Sequence, residues 1–301
     1  MTTILVTGAC GPAGHALGIQ LREHSRRNAD LVVIGADANP QCTDTFPVLV
    51  GLPVVNSPSY IPELLSLVER FEVDLVIPTV SEELTEIAEL TDLLTPTTRV
   101  LVSSAQAARV CSDKWLTMQA LDHAGVAIPR FALASSFHST AEAMHALGGP
   151  VIVKPRVSRG GRNVMLIENP DSLWHPFDES WLVQQFAPGT EYCPQIYAEP
   201  SANEESDHTV IVLEKLGLKG GRIGNATATT RLRALDAGDV FWLAHRATDA
   251  LHLRGPIDMD IRRTADGQPV VLEVNARFGA NSEAAPELLE RSLTSVTELV
   301  R

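Results

Sequence analysis

The stretches Ile257-Asp258-Met259-Asp260-Ile261 and Pro269-Val270-Val271-Leu272-Glu273-Val274-Asn275-Ala276-Arg277 hold the densest chemical pattern in the chain. Both are short apolar runs with strand propensity. Ala265-Asp266-Gly267-Gln268 lies between them as a turn, so the pair predicts an antiparallel hairpin. Residues two apart in a strand share a face. Glu273, Asn275 and Arg277 therefore line one side, and pairing across the hairpin brings Asp260 to Glu273. Two carboxylates and a carboxamide oxygen form a hard donor set that suits Mg²⁺, which takes few protein ligands and completes its shell with water and phosphate. Arg277 beside them can grip a phosphate oxygen with a forked pair of hydrogen bonds. In isolation, Glu273 and Arg277 would equally suit an exposed ion pair of small energetic worth. The surrounding sequence weighs against that simpler reading.

At 301 residues the chain can hold two or three packed units, and 45% hydrophobic with 20% charged residues is an ordinary globular composition. A net charge of −13 argues against non-specific nucleic-acid binding, which needs a basic footprint. No apolar run approaches the ~18 residues of a membrane span, and the N-terminus reads as a strand rather than a leader, so the cytoplasm is the expected compartment. Cys10, Cys42, Cys111 and Cys193 are scattered without metal-ligand spacing; neither a zinc site nor a disulfide framework is expected. Among 24 basic residues only Lys114, Lys154, Lys215 and Lys219 are lysines. An ammonium and a guanidinium are not equivalent at a phosphate, which makes these four the first candidates for chemistry.

Residues 3–110 alternate strand and helix: strands at 4–6, 31–34, 54–55, 75–77 and 100–102, helices at 13–24, 60–70 and 82–94. That alternation implies a parallel sheet covered on both faces. The first turn, Thr7-Gly8-Ala9-Cys10-Gly11-Pro12-Ala13-Gly14, is close to a dinucleotide fingerprint, and Asp37 follows the second strand where a ribose-binding acid would lie. An NAD-dependent short-chain dehydrogenase or epimerase is thus a rival reading. Such enzymes need a Tyr-x-x-x-Lys pair, and Tyr60, Tyr192 and Tyr197 are followed four residues on by Leu64, Ile196 and Ser201. The glycines are read as structural.

Beyond residue 111 the pattern changes. A helix over 112–124, capped by Ser112 or Asp113, precedes the strand Val151–Pro155 carrying Lys154. The turn 156–163 holds Ser158, Gly160 and Gly161, whose backbone N–H groups could close over an anion. A strand over 181–186 leads to a turn and a strand opening with Glu191. A polar acidic loop at 200–208, a strand at 209–213 and a helix over 236–252 lead into the hairpin, and a last helix is expected at 283–292. Segregated strands and helices fit an α+β unit.

These segments, in this order, resemble the ATP-grasp superfamily, with the half-modules of the carbamoyl-phosphate synthetase large subunit and related stand-alone ligases as the nearest likeness. Val73 to Leu84 is similar to the end of that family's N-terminal domain, and Cys111-Ser112-Asp113-Lys114-Trp115 to the start of its ATP-grasp fold. The resemblance implies a doubly wound, Rossmann-like α/β domain at 1–110. A two-lobed α+β ATP-grasp fold follows, with a lid lobe at 111–182 and a base lobe at 183–301. It implies ATP and two Mg²⁺ ions as cofactors, with Mn²⁺ an acceptable substitute. Lys114, Lys154 and Lys215 would serve the nucleotide, and the hairpin with Ser158, Gly160 and Gly161 would be its lid. Gln184 would accept from the adenine amino group in place of the usual acid, Phe186 would offer backbone groups, and Glu191 would bind the ribose. Asp260, Glu273 and Asn275 would hold metal, and Arg277, Lys154 and Asn275 would stand nearest the chemistry.

The implied activity is ATP-dependent ligation of a carboxylate to an amine (or thiol) through an acyl phosphate, releasing ADP and phosphate. Carbamoyl-phosphate-synthetase-like phosphorylation and a catalytically silent nucleotide-binding regulator are the alternatives. The expected partners are small-molecule carboxylate and amine substrates, with no nucleic acid or membrane and a homodimer among the allowed assemblies. Glu83, Lys219, Arg231 and Arg233 are open candidates for substrate contact.

Overall fold

A computed structural model describes residues 2–42, 44–94, 98–158, 160–199, 208–233 and 235–297. The first unit comprises β1 (Thr2–Thr7), α1 (Pro12–Arg27), β2 (Leu31–Asp37), β3 (Val48–Gly51), α2 (Tyr60–Arg70), β4 (Leu75–Ile77), α3 (Leu84–Glu89), α4 (Thr91–Leu94) and β5 (Arg99–Val100). Its strands run parallel in the order β3-β2-β1-β4-β5. Alternation along β1 explains the two covered faces. Ile4 and Val6 pack with Leu17 and Leu21 of α1, while Leu5 faces Leu64 and Leu67 of α2. Each such side chain, once buried, contributes about 2 kcal/mol.

The second unit holds α5 (Ala105–Ser112), α6 (Lys114–His123), β6 (Phe131–Leu133), α7 (Thr140–Leu147), β7 (Val151–Pro155), β8 (Met165–Ile167) and β9 (Trp181–Gln185). Its four strands are ordered β6-β9-β7-β8 and pair antiparallel. The third holds β10 (Glu191–Tyr192), β11 (Gln195–Ala198), β12 (Thr209–Ile211), β13 (Leu213–Leu218), β14 (Ala226–Arg231), α8 (Gly238–Ala250), β15 (Gly255–Arg263), β16 (Pro269–Asn275) and α9 (Glu287–Thr297). They form a seven-stranded antiparallel sheet, β12-β11-β15-β10-β13-β14, with β16 paired to β15.

Several expectations need correction. The third parallel strand is Val48–Gly51, not 54–55; no residue of it is fully buried, so it carries little periodicity to read. Residues 81–94 break into a 3-10 turn and two short helices, and the segment before Asp113 is itself a helix, α5. Asp113 then caps α6, its carboxylate accepting from the Trp115 and Leu116 amides. Strand β9 crosses the expected 182/183 boundary and belongs to the four-stranded sheet. The last helix starts at Glu287 and packs Leu288 and Leu289 into the core of the first unit, beside Ile4 and Leu17. The acidic loop, apart from His208, lies outside the described residues. Cys10 and Cys42 form a disulfide, contrary to the reading of scattered cysteines, with Cα atoms 5.3 Å apart. Only the fold brings the β1–α1 turn beside the β2–β3 loop, so no spacing in the sequence marks the pair. No helix among the described residues is long and apolar enough to cross a membrane.

Glu83 is also placed differently from its role as a substrate candidate. It is 2% exposed. Its carboxylate accepts from the Thr7 and Tyr60 hydroxyls, both at 2.5 Å, and from the Thr79 and Val80 amides at 3.1 and 3.0 Å. It therefore ties the end of β1 to the loop after β4. Glu83→Leu should destabilise the protein by about 3 kcal/mol or more, because four donors lose their acceptor at once. Glu83→Gln, which keeps one oxygen for the amides, should cost less. Urea denaturation midpoints check both, and equal stability of Glu83→Leu and the parent would remove this anchor.

Candidate active site

In the hairpin, Asp260 pairs with Glu273 and Asp258 with Asn275. The alternation sorts the side chains. Ile257, Met259, Ile261, Val271, Val274 and Ala276 are buried with Val240 and Ala244 of α8 and Met118 of α6. Asp258, Asp260, Glu273, Asn275 and Arg277 line a cavity of about 580 Å³ on the other side. Leu272 is an extra residue between the pairs Asp260–Glu273 and Ile261–Val271. This bulge takes its carbonyl off the ladder, and Lys154 Nζ donates to it at 3.2 Å.

Three of the four lysines converge here. Lys114 opens α6; its Nζ donates to the Ser158 carbonyl at 2.7 Å and stands 3.3 Å from Glu273 Oε1. The base of the glycine turn is fixed by Arg156, which forks onto Asp113 at 3.1 and 2.6 Å and accepts from the Lys114 amide through its carbonyl. Lys215 of β13 bridges Glu191 at 2.6 Å and Asp260 at 2.7 Å. Burial works against its charge, but Asp260 and Glu191 together outweigh that and raise its pKa. Lys219 instead sits in the turn after β13, where its amide donates to the Asn225 carbonyl. Arg231 pairs with Glu287 and Arg233 with Asp236, and neither lines the cavity.

The expected adenine and ribose residues lie together but outside the cavity lining. Gln184 is buried, its amide donating to Met118 Sδ at 3.3 Å. The Phe186 amide is taken by the Pro150 carbonyl. Its ring has Arg222 and Arg262 over it, with guanidinium carbons 4.7 and 4.9 Å from the centroid. Arg262 also stands 3.2 Å from Glu191 Oε2.

Two residues of this face escaped sequence reasoning. Asp258 holds Arg277 at 3.4 Å and accepts from Gln195 Nε2 at 2.6 Å. Burial pushes its carboxyl up, opposed by Arg277. Its alternation with Asp260, like that of Arg262, was the available signal. The opposite wall of the cavity comes from the first unit: Gly8, Cys10, Gly11, Asp37, Asn39, Thr79 and Ser81. Gly8 has φ +60°, and a Cβ at Gly14 would lie 2.3 Å from the Gly8 carbonyl oxygen. Asp37 accepts from the Cys10 and Asn39 amides, each at 2.9 Å. The fingerprint-like turn thus owes its glycines to packing, and its acid braces the turn.

The donor set fits a hard divalent cation: Asp260 and Glu273 supply carboxylate oxygens and Asn275 a carboxamide on one face of the β15–β16 hairpin, all lining the cavity. The ATP-grasp domain family model matches residues 111–281. The chain belongs to the ATP-grasp family. Solved structures share its architecture. L-amino acid ligase from Bacillus licheniformis is 18% identical at a TM-score of 0.69, over 94% of this chain and 69% of that one. N5-carboxyaminoimidazole synthetase from Staphylococcus aureus, complexed with ADP, is 17% identical at a TM-score of 0.68, over 93% and 71%. A biotin carboxylase–ATP complex from Campylobacter jejuni is 14% identical at a TM-score of 0.72, over 98% and 70%. At these identities the likeness is one of fold.

In this ATP-grasp chain the charge of Lys154 is held at a cost. Burial pushes its ammonium down to about 8, with Glu273 opposing and Lys114 reinforcing. Its folded value lies below the 10.5 of an unperturbed lysine. The charged form therefore destabilises the free protein, fully below about pH 8 and progressively less as pH rises towards 10.5. Lys154→Met should stabilise the nucleotide-free protein at pH 7 by on the order of 1–3 kcal/mol, and the gain should shrink by pH 10. Denaturant melts at the two pH values check this; a variant weaker than the parent at pH 7 would mean that the Leu272 bond outweighs burial.

Proposed function

We propose that this protein is an ATP-dependent ligase that phosphorylates a small-molecule carboxylate and passes the acyl group to an amine or thiol, releasing ADP and phosphate. The observation that carries this reading is the pairing of Asp260 with Glu273 inside a ring of three lysines. In this reading residues 1–110 act as acceptor-side wall, 111–185 as lid lobe and 186–301 as base lobe, the second boundary falling after β9 rather than at 182/183.

Bringing ATP against a carboxylate is a problem of like charge. Two unit charges at about 4 Å repel by roughly 4 kcal/mol at an effective dielectric near 20. Lys114 and Lys154 hold the phosphates, and Lys215 keeps Glu191 and Asp260 in place. Asp260, Glu273 and Asn275 would hold one or two Mg²⁺ ions, which would supply charge neutralisation at the phosphoryl oxygens. Arg277, positioned by Asp258, faces the cavity where the acceptor carboxylate binds. Gly160 and Gly161 line the same cavity from the turn that closes over the triphosphate. Gln184, Phe186 and Glu191 form the base and ribose end.

In the free protein Glu273 and Asp260 are each matched with a lysine, at 3.3 and 2.7 Å. Nucleotide phosphates would draw the lysines off these carboxylates and leave Asp260 and Glu273 free to hold a cation.

Calorimetry should register Mg²⁺-ATP binding and none of NAD. With the correct acid, Mg²⁺-ATP and hydroxylamine, a hydroxamate should form without the natural amine, and labelled carboxylate oxygen should appear in the released phosphate. AMP and pyrophosphate as products would replace the acyl phosphate with an adenylate; tight NAD binding without ATP binding would overturn the whole reading. Glu273→Gln should lower turnover by about a hundredfold or more, since several kcal/mol of charge stabilisation depend on the metal it holds. Near-normal turnover at saturating Mg²⁺ would remove Glu273 from the metal site.

A further inference from the structure

On the far side of the seven-stranded sheet, where α8 packs, the fold assembles a cluster that no part of the ATP-grasp reading uses. His208 stands at the start of β12, and His245 and Asp249 lie one turn apart on α8. His208 Nε2 is 2.9 Å from Asp249 Oδ1, and His245 Nδ1 is 3.1 Å from Asp249 Oδ2. All three donor atoms lie within 4.8 Å of one another. The imidazole rings are 4.6 Å apart, tilted by 37°. No short motif announces this cluster, because the two histidines stand 37 positions apart.

We propose that His208, His245 and Asp249 form a zinc site that clamps α8 to the edge strand β12. Zinc bonds of about 2.0–2.2 Å to nitrogen and oxygen place neighbouring donors of a tetrahedron about 3.3 Å apart. Each imidazole nitrogen already stands near that separation from one oxygen of the Asp249 carboxylate, His208 from Oδ1 and His245 from Oδ2, so the two rings need only draw together around an ion held by that carboxylate. Residues four apart on a helix face the same way, which is how His245 and Asp249 come to share one ligand. Two imidazoles and one carboxylate suit Zn²⁺, whereas Mg²⁺ prefers an all-oxygen shell.

Burial is graded across the cluster: the side chains of His208, His245 and Asp249 are 3%, 17% and 44% exposed. The ion would thus sit against a packed wall, with its fourth position open to water on the Asp249 side. His208 points its Nε2 into the cluster, and its buried Nδ1 has no hydrogen-bond partner. Among the described residues, the polar contacts of this ring are therefore made entirely at the cluster. The site shares no residue with the cavity. The faces of β15 and β16 that carry Asp260 and Glu273 point away from α8.

The test is calorimetric titration of the full chain with Zn²⁺, in excess Mg²⁺ so that the oxygen donors of the cavity are occupied by the competing ion. The wild type should bind one zinc at micromolar or lower concentration, and zinc should raise its melting temperature. His245→Ala and Asp249→Asn should each weaken binding at least tenfold and abolish the melting shift. Asp249→Asn changes a nearly half-exposed side chain by one atom type, which keeps the test open if His245→Ala folds poorly. Co²⁺ should give tetrahedral visible bands in the wild type and lose them in both variants. Zinc binding of undiminished affinity in the variants, or none to the wild type, would overturn the proposal and leave the cluster as a hydrogen-bonded bridge.

Discussion

Side-chain alternation along β15 and β16 places an apolar face and an acidic face back to back. Ile257, Met259 and Val274 bury themselves under α8, which forces Asp258, Asp260 and Glu273 together on the opposite side. Acids gathered at a half-buried place need cations, and the chain brings them from elsewhere. Lys114 comes from α6, Lys154 from β7 and Lys215 from β13, so the ion pairs and hydrogen bonds tie the four-stranded sheet to the seven-stranded one. The arrangement is a charge balance before it is a binding site. Part of its stability cost falls on Lys154, the lysine whose own Nζ finds a carbonyl rather than a carboxylate.

The first unit is joined to this centre in two ways. Leu288 and Leu289 of α9 enter its core, and Gly8 to Gly11 with Thr79 and Ser81 form the far wall of the cavity. Glu83 fixes that wall from behind by holding the ends of β1 and β4. The disulfide between Cys10 and Cys42 fixes it from the side. A substrate in the cavity would therefore meet a braced surface opposite the acidic face, with the glycine turn at 160–161 on its border.

Much of this was legible because it depends on local pattern. A two-residue period and a Gly-containing turn specify the hairpin, and with it the meeting of Asp260 and Glu273. Capping chemistry narrowed the start of α6 to Ser112 or Asp113, and the rarity of lysine drew attention to Lys114, Lys154, Lys215 and Lys219, of which the first three reach the site. What stayed hidden depends on contacts between distant segments. Glu83 looks like a surface acid until Thr7 and Tyr60 are beside it, and Cys10 has no partner until β2 lies next to β1. Arg231 looked available for a carboxylate until α9 brought Glu287 within 2.6 Å. Strand β3 was missed because neither face of it is fully buried, which leaves little periodicity to detect.

The bulge at Leu272 bears on how this gene can tolerate length changes. Upstream, the turn at 264–268 is exposed, and added residues there would lengthen a loop at modest entropic cost. Between Leu272 and Asn275 there is no such slack. Losing or gaining one residue would turn Val274 towards the cavity and Glu273 into the apolar layer, because a one-residue slip exchanges the two faces of a strand. Insertions and deletions in lineages that keep the acidic face should therefore accumulate on one side of this bulge and be absent from the other.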